Sequence, residues 1–298
     1  MTDPASTHGL WGDLHSPEYQ PANSDFTVVG VPYDGAACAR PGAALAPGRI
    51  RFWSTHLTPF SEDRTRLGSI RICDLGDIPV DEQARDFERV RQKVATLPNV
   101  PIVLGGDHSI SIPVLQAQRE RYREQRLGLL WLDAHPDLCD VFTGSKLSHA
   151  CVLRRALEFG IEPGDVCMVG LRSWEEQEID LIENGGLNVY PAAAVAERGI
   201  RSVASSVYSK LSLCDAVHIS LDIDCLDPAF APGTGIPDAG GLTSRDVITL
   251  LKSLQGLPLV GLDLVEVSPP VDPSEATIFA ALKFIMEYIA VFAREKQK

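Results

Sequence analysis

Two short runs of this chain concentrate groups that can do metal chemistry: Asp133-Ala134-His135-Pro136-Asp137 and Asp222-Ile223-Asp224. A further histidine, His108, closes the run Gly105-Gly106-Asp107-His108. Asp133, His135 and Asp137 stand at i, i+2 and i+4, and Asp222 and Asp224 at i and i+2. A strand turns alternate side chains to one face, so this spacing at strand ends predicts that these groups converge. Four carboxylates and two imidazoles supply donors for two divalent cations, with some carboxylates bridging. Oxygen-rich ligation with a little imidazole favours a hard ion such as Mn²⁺, and the lack of cysteine in either run disfavours a thiolate zinc site. The pattern points to a binuclear metallohydrolase.

Such a site needs a frame that brings distant runs together. Short apolar, β-rich runs at 26–33, 70–75, 101–105, 127–133, 165–171, 187–190, 216–223 and 258–266 read as strands. Several are continuously apolar, such as Leu127-Gly128-Leu129-Leu130-Trp131-Leu132, which suits a parallel strand covered on both faces. Helical patterns lie between them at 82–96, 110–124, 148–159, 174–184, 243–254 and 274–293. Thr243 or Ser244 would cap the fifth and Ser274 the sixth. Strand–helix alternation with right-handed crossovers predicts a single three-layer α/β/α domain around a mainly parallel, doubly wound sheet. His108, Asp133, Asp222 and Glu266 then stand at four strand ends, and such ends meet in the crevice at the carboxyl edge of an open sheet. One Asp at a strand end is ordinarily a cap or turn residue; three such runs at one edge call for another account. Residues 1–24, polar with Pro4, Pro17 and Pro21, read as an N-terminal arm that wraps the body or contacts a neighbouring subunit, leaving 25–298 as the catalytic domain.

Composition narrows the partners. The 298 residues are 45% hydrophobic and 22% charged, an ordinary globular mixture with ample core. A net charge of -13 with no basic run to offset it argues against nucleic acid and anionic membranes. Of seven widely spread cysteines with no CxxC pair, most read as reduced, packed thiols of a cytoplasmic protein. The start shows no basic n-region or apolar h-region, and no run of about 18 apolar residues follows.

The motifs also carry a resemblance. GGDH at 105–108, DAHPD at 133–137, SLDIDCLDPAFAPGTG at 220–235 and VEVSP at 265–269 resemble the signatures of the ureohydrolase family of arginases and agmatinases. The likeness extends to Val31-Pro32-Tyr33-Asp34 and Arg40-Pro41-Gly42, so it runs from about residue 26 to the C-terminus. It implies an arginase-like fold and a homo-oligomer (trimer or hexamer). It also implies a binuclear manganese enzyme that hydrolyses a guanidino group to an amine and urea. His108, Asp133, Asp137 and Asp222 would hold one Mn²⁺, and Asp133, His135, Asp222 and Asp224 the other, so that Asp133 and Asp222 bridge. Glu266 would orient the guanidinium, whose planar fork matches a carboxylate. His149 would serve as a proton shuttle or guanidinium contact; otherwise a His at a helix start is a surface or capping residue. His218, facing the same way as Asp222, reads as a packed or supporting histidine.

The chemistry requires such a set. A guanidinium carbon is a poor electrophile, and two cations sharing a water lower its pKa from about 15.7 toward neutrality. The leaving nitrogen must be protonated before the C–N bond breaks, and Asp137 is the expected proton carrier. Glycines 105 and 106 are expected to allow a tight turn that aims His108, and the Pro- and Gly-rich loop 227–235 to position backbone around the metals.

Three positions depart from the arginases. Cys139 stands where they commonly have an Asn for the α-carboxylate of arginine, Ala150 replaces a Gly, and Pro136 replaces a Thr. Residues 227–245 resemble the agmatinase branch, which makes agmatine the expected substrate. Alternatives are a guanidinobutyrase or guanidinopropionase, with Arg40 a candidate for a carboxylate tail. A formimidoylglutamase releasing formamide, or a silent binding member of the family, are further readings; the intact ligand set disfavours the last.

Overall fold

The computed structural model describes residues 5–296. Every expected apolar run becomes a strand: β1 (Phe26–Val31), β2 (Ile72–Asp77), β3 (Val100–Gly105), β4 (Leu127–Leu132), β5 (Val166–Val169), β6 (Asn188–Tyr190), β7 (Ala216–Asp222) and β8 (Leu259–Val265). All pair in parallel, in the order β2-β1-β3-β8-β7-β4-β5-β6. β1, β4 and β7 are buried along their whole length, as strands covered on both faces must be.

Among the described residues the helices are α1 (Ala46–Ser54), α2 (Gln83–Ala95), α3 (Ser111–Arg121), α4 (Val152–Glu158), α5 (Ile179–Asn184), α6 (Ala192–Arg198), α7 (Ile200–Leu211), α8 (Ser244–Ser253) and α9 (Ala276–Lys296). α1, α6, α7, α8 and α9 pack on one face of the sheet with the apolar residues of one strand phase, including Ile219 and Leu221. α2, α3, α4 and α5 cover the other face, against Trp131, Val103 and Val265. The three layers follow.

Helices α1, α6 and α7 are absent from the sequence reading. Pro47 and Gly48 suggest a turn, yet Pro47 occupies the first turn of α1, where its missing N–H is no loss. Gly199, at φ 77°, divides α6 from α7 and interrupts the period that a longer helix would show. The expected helix at 174–184 opens only at Ile179. Glu178 is buried and accepts the N–H groups of Leu138 and Glu175, both at 2.8 Å, which holds residues 173–175 in a loop. Thr243 caps α8 in a reciprocal box with Asp246. At α9 the first N–H groups go to Ser274 Oγ (from Ala276) and to Asp272 Oδ2 (from Thr277).

The stretch Ala276–Arg294 of α9 has a mean hydropathy of 1.7, long and apolar enough by composition to span a membrane. It is not an uninterrupted apolar run, because Lys283, Glu287 and Arg294 break it. With 72% of it buried, it serves here as the core helix. In the arm, Trp11 is fully buried and its Nε1 donates to Asp74 Oδ2 at 2.9 Å, while Ile72 N donates to Leu14 O at 3.0 Å beside edge strand β2. Cys38 is exposed, the other six cysteines are buried, and all are free thiols.

Candidate metal centre

The strand order decides where the chemistry sits. β3, β8, β7 and β4 are the four central strands, and their carboxyl ends carry His108, Glu266, the Asp222 run and the Asp133 run. The alternating spacing, however, is not the pleat of a strand. β4 stops at Leu132, and only Asp222 of the ligand set lies within a strand. Instead each run is a turn in which an aspartate accepts the N–H two residues on. Asp107 Oδ1 takes Ser109 N at 2.9 Å, Asp133 Oδ1 takes His135 N at 2.7 Å, and Asp222 Oδ1 takes Asp224 N at 2.8 Å. The i, i+2 spacing is that of this local turn. Asp137 follows with φ 51°, a left-handed conformation that points its carboxylate back at the cluster.

Gly106 has no positive φ to explain it. A Cβ there would lie 1.7 Å from Tyr33 O, so the close passage of the 33–34 backbone demands glycine, not a tight turn.

Nδ1 of His108 lies 3.1 Å from Asp133 Oδ2, 3.2 Å from Asp137 Oδ2 and 3.2 Å from Asp222 Oδ2. Nδ1 of His135 lies 3.4 Å from Asp133 Oδ1 and 3.1 Å from Asp224 Oδ2. Asp133 thus presents one oxygen to each imidazole. Donor atoms of His108, Asp133 and Asp137 all fall within 4.8 Å of one another, as do those of Asp133, His135 and Asp224. His108 Nδ1 and Asp133 Oδ2 are buried with no directed hydrogen-bond partner. Leaving such atoms unsatisfied costs about 1–3 kcal/mol each, and a cation among them satisfies both, so the donor set fits a metal. Trp131 stacks on the His108 ring at 4.4 Å and holds its plane.

Both donor groups open into a cavity of about 230 Å³, also lined by Glu266, His149, Phe142, Trp174 and Glu175. Glu266, at φ 62°, sits one residue past β8 and accepts His108 N at 2.8 Å. Burial, then the neighbouring Asp107, raises it well above the usual carboxylate range, and a cationic partner is what would hold it ionised. His149 Nδ1 is 4.0 Å from Glu266 Oε1. Ser148, not His149, caps the turn that follows, by accepting Ala150 N. Burial, and after it the positive His108 and His135, push His149 down to about 4, leaving it neutral at pH 7. Burial, then Asp133, raises Asp137 to about 7.

The arginase-family pattern matches residues 24–290. The chain belongs to the arginase family. It is 32% identical to an agmatinase of Proteus mirabilis over 99% of this chain and 97% of that one. It is also 32% identical to a guanidinobutyrase of Pseudomonas aeruginosa over 90% of this chain and 86% of that one. The solved structure of proclavaminate amidino hydrolase from Streptomyces clavuligerus superposes with a TM-score of 0.89 at 31% identity, covering 97% of this chain and 98% of the other. As an arginase-family enzyme the chain is a hydrolase of amidine or guanidino C–N bonds.

Family motifs did not flag Arg172, Trp174 or Glu175. The Arg172 guanidinium donates to the carbonyls of Asp224, Leu226 and Asp238 at 2.7, 3.1 and 2.7 Å, and its own N–H binds Ala134 O. It ties the two aspartate runs of this arginase-family site together from behind. Position alone, three residues after β5, was the available signal. Cys139 is buried and does not line the cavity. Arg40 donates to Thr234 O at 2.6 Å and Gly235 O at 3.2 Å, which commits it to clamping loop 34–42 onto loop 232–235.

Proposed function

We propose that this enzyme hydrolyses agmatine to putrescine and urea with two Mn²⁺ per chain. The observation that carries the reading is the lining of the cavity. Glu266, Trp174, Glu175 and Glu178 line it beside the ligand set, and no lysine or arginine lines it among the described residues. Such a pocket suits a guanidinium at one end and a cationic tail at the other, and it offers a carboxylate tail no counter-ion. His108, Asp133, Asp137 and Asp222 would hold one ion, and Asp133, His135, Asp222 and Asp224 the other. Bound cations supply the Lewis acidity that makes water nucleophilic at neutral pH. Glu266 orients the guanidinium, Asp137 carries a proton to the leaving nitrogen, and His149 exchanges protons beside the cavity. We place residues 25–298 in one catalytic domain behind the 1–24 arm. The free thiols and the family resemblance support a cytoplasmic homo-oligomer, and sedimentation of the full chain tests its subunit number.

The deciding experiment measures urea release from agmatine, 4-guanidinobutyrate, 3-guanidinopropionate and arginine side by side with Mn²⁺. A mismatched tail leaves one or two groups unpaired, so agmatine should exceed each of the others by about ten- to a hundredfold in kcat/KM. A guanidino acid as best substrate would overturn the agmatine assignment and leave the guanidino hydrolysis standing.

A further inference from the structure

Behind His108, away from the cavity, a buried chain of polar side chains runs between the sheet and α3. Its far end is Gln118, whose amide orientation is fixed by two unambiguous neighbours. Val260 O can only accept and lies 3.0 Å from Nε2, while Arg121 Nη1 can only donate and lies 3.1 Å from Oε1. Nε2 of Gln118 therefore also donates to His218 Nδ1 at 3.0 Å. That leaves the His218 proton on Nε2, which donates to Asp263 Oδ2 at 2.6 Å. The other oxygen of Asp263 accepts the hydroxyls of Ser111 at 2.6 Å and Ser220 at 2.7 Å. With its proton committed, Ser220 Oγ can only accept from His108 Nε2 at 3.0 Å. His108 must then keep a proton on Nε2, and the atom left to meet a cation is Nδ1, the one that faces Asp133, Asp137 and Asp222.

Gln118, His218, Ser220 and Asp263 are all fully buried. A Cβ on Gly261 would lie 2.2 Å from Gln118 Nε2 and 2.5 Å from His218 Nδ1, so the backbone of β8 leaves space for this contact alone.

We propose that Gln118, His218 and Asp263 are positioning residues: a one-way hydrogen-bond relay that presets the tautomer and orientation of His108 for one of the two cations. The inference rests on the two-ion reading above. A metal-ligating histidine commonly takes its orientation from the partner of its other ring nitrogen, and losing such a partner costs roughly 10–100-fold in affinity. Here the partner is itself oriented across three further side chains.

The test titrates Mn²⁺ into the full-length enzyme after dialysis, resolving the two dissociation constants. Asp263→Asn should weaken one ion by roughly 10–100-fold and leave the other as in the parent. Gln118→Leu, at the remote end, should weaken the same ion by a smaller factor, and it decides the matter alone if Asp263→Asn does not fold. Loss of both ions in parallel would mark a merely structural role, and unchanged constants would mean that the relay sets nothing; either overturns the proposal. A parent enzyme that retains fewer than two ions would instead overturn the two-ion reading itself.

Discussion

At the scale of single residues, strain marks the site. Asp137 and Glu266 adopt left-handed φ values of 51° and 62°, which cost a non-glycine residue of order 1–3 kcal/mol and persist where the surroundings hold them. Asp133 presents Oδ2 to the His108 group and Oδ1 to the His135 group, so its two oxygens serve two different places. Asp133→Asn should therefore lower affinity for both cations, whereas His108→Ala should lower affinity for one; Mn²⁺ content after dialysis checks this, and equal losses would show that Asp133 does not bridge. His149 touches no carboxylate of the ligand set and is neutral, with Nε2 buried and unpartnered beside the cavity. His149→Ala should keep its manganese and lose roughly 10²-fold in kcat, the usual scale of general acid–base help. Unchanged kinetics would reduce His149 to a wall of the pocket.

At the scale of elements, the loops after the strands place the site, and side chains that are not in the ligand set hold two of them. Glu178 pins the Leu138 and Glu175 backbones, and Arg172 gathers the carbonyls of the Asp222–Leu226 turn. A guanidinium reaches several carbonyls at once through its planar fork, and an ammonium on a flexible stem does not. Arg172→Lys should thus keep the charge, loosen the turn that carries Asp224, and lower the affinity of the His135–Asp224 cation by roughly tenfold, read by Mn²⁺ titration. No change in either constant would show that the turn holds itself through Asp222 and its own backbone.

For the whole molecule, the ligand cluster makes stability depend on metal and pH together. His108 and His135 are raised well above the usual histidine value; burial opposes this, but the carboxylates of Asp133, Asp137, Asp222 and Asp224 outweigh it. Metal-free, the folded protein holds these protons above pH 6.5 while the unfolded chain releases them. The native state then binds more protons, and stability falls as pH rises. Burial, and then neighbouring carboxylates, raises Asp222 and Glu266, which act in the same direction. His149, lowered to about 4, acts oppositely only below pH 6.5. The metal-free protein should therefore lose Tm steadily from pH 6.5 to 8.5. Excess Mn²⁺ should reverse that slope, because binding requires deprotonated ligands and gains from higher pH. A flat metal-free profile over that range would mean that the cluster is not held together as described.

The sequence by itself determined the parts: eight apolar, β-rich runs that become strands, the ligand types, and the short spacings that keep Asp133 near His135 and Asp222 near Asp224. Those are local properties, written in hydrophobic runs and in aspartates that bind the N–H two residues on. Even there the tie between ligands was misread as a strand pleat, because an Asx turn and a pleat share the same two-residue spacing. Helices α1, α6 and α7 were hidden by a proline at a first turn and a glycine between two short helices, where tertiary packing outweighs weak local signals. What only the tertiary structure decided is adjacency. The strand order β3-β8-β7-β4 brings together runs more than a hundred residues apart, and with them the buried carboxylate of Asp263 that no motif marks. Which strands pair, and which polar atoms meet beneath the sheet, depends on long-range packing that no local spacing encodes.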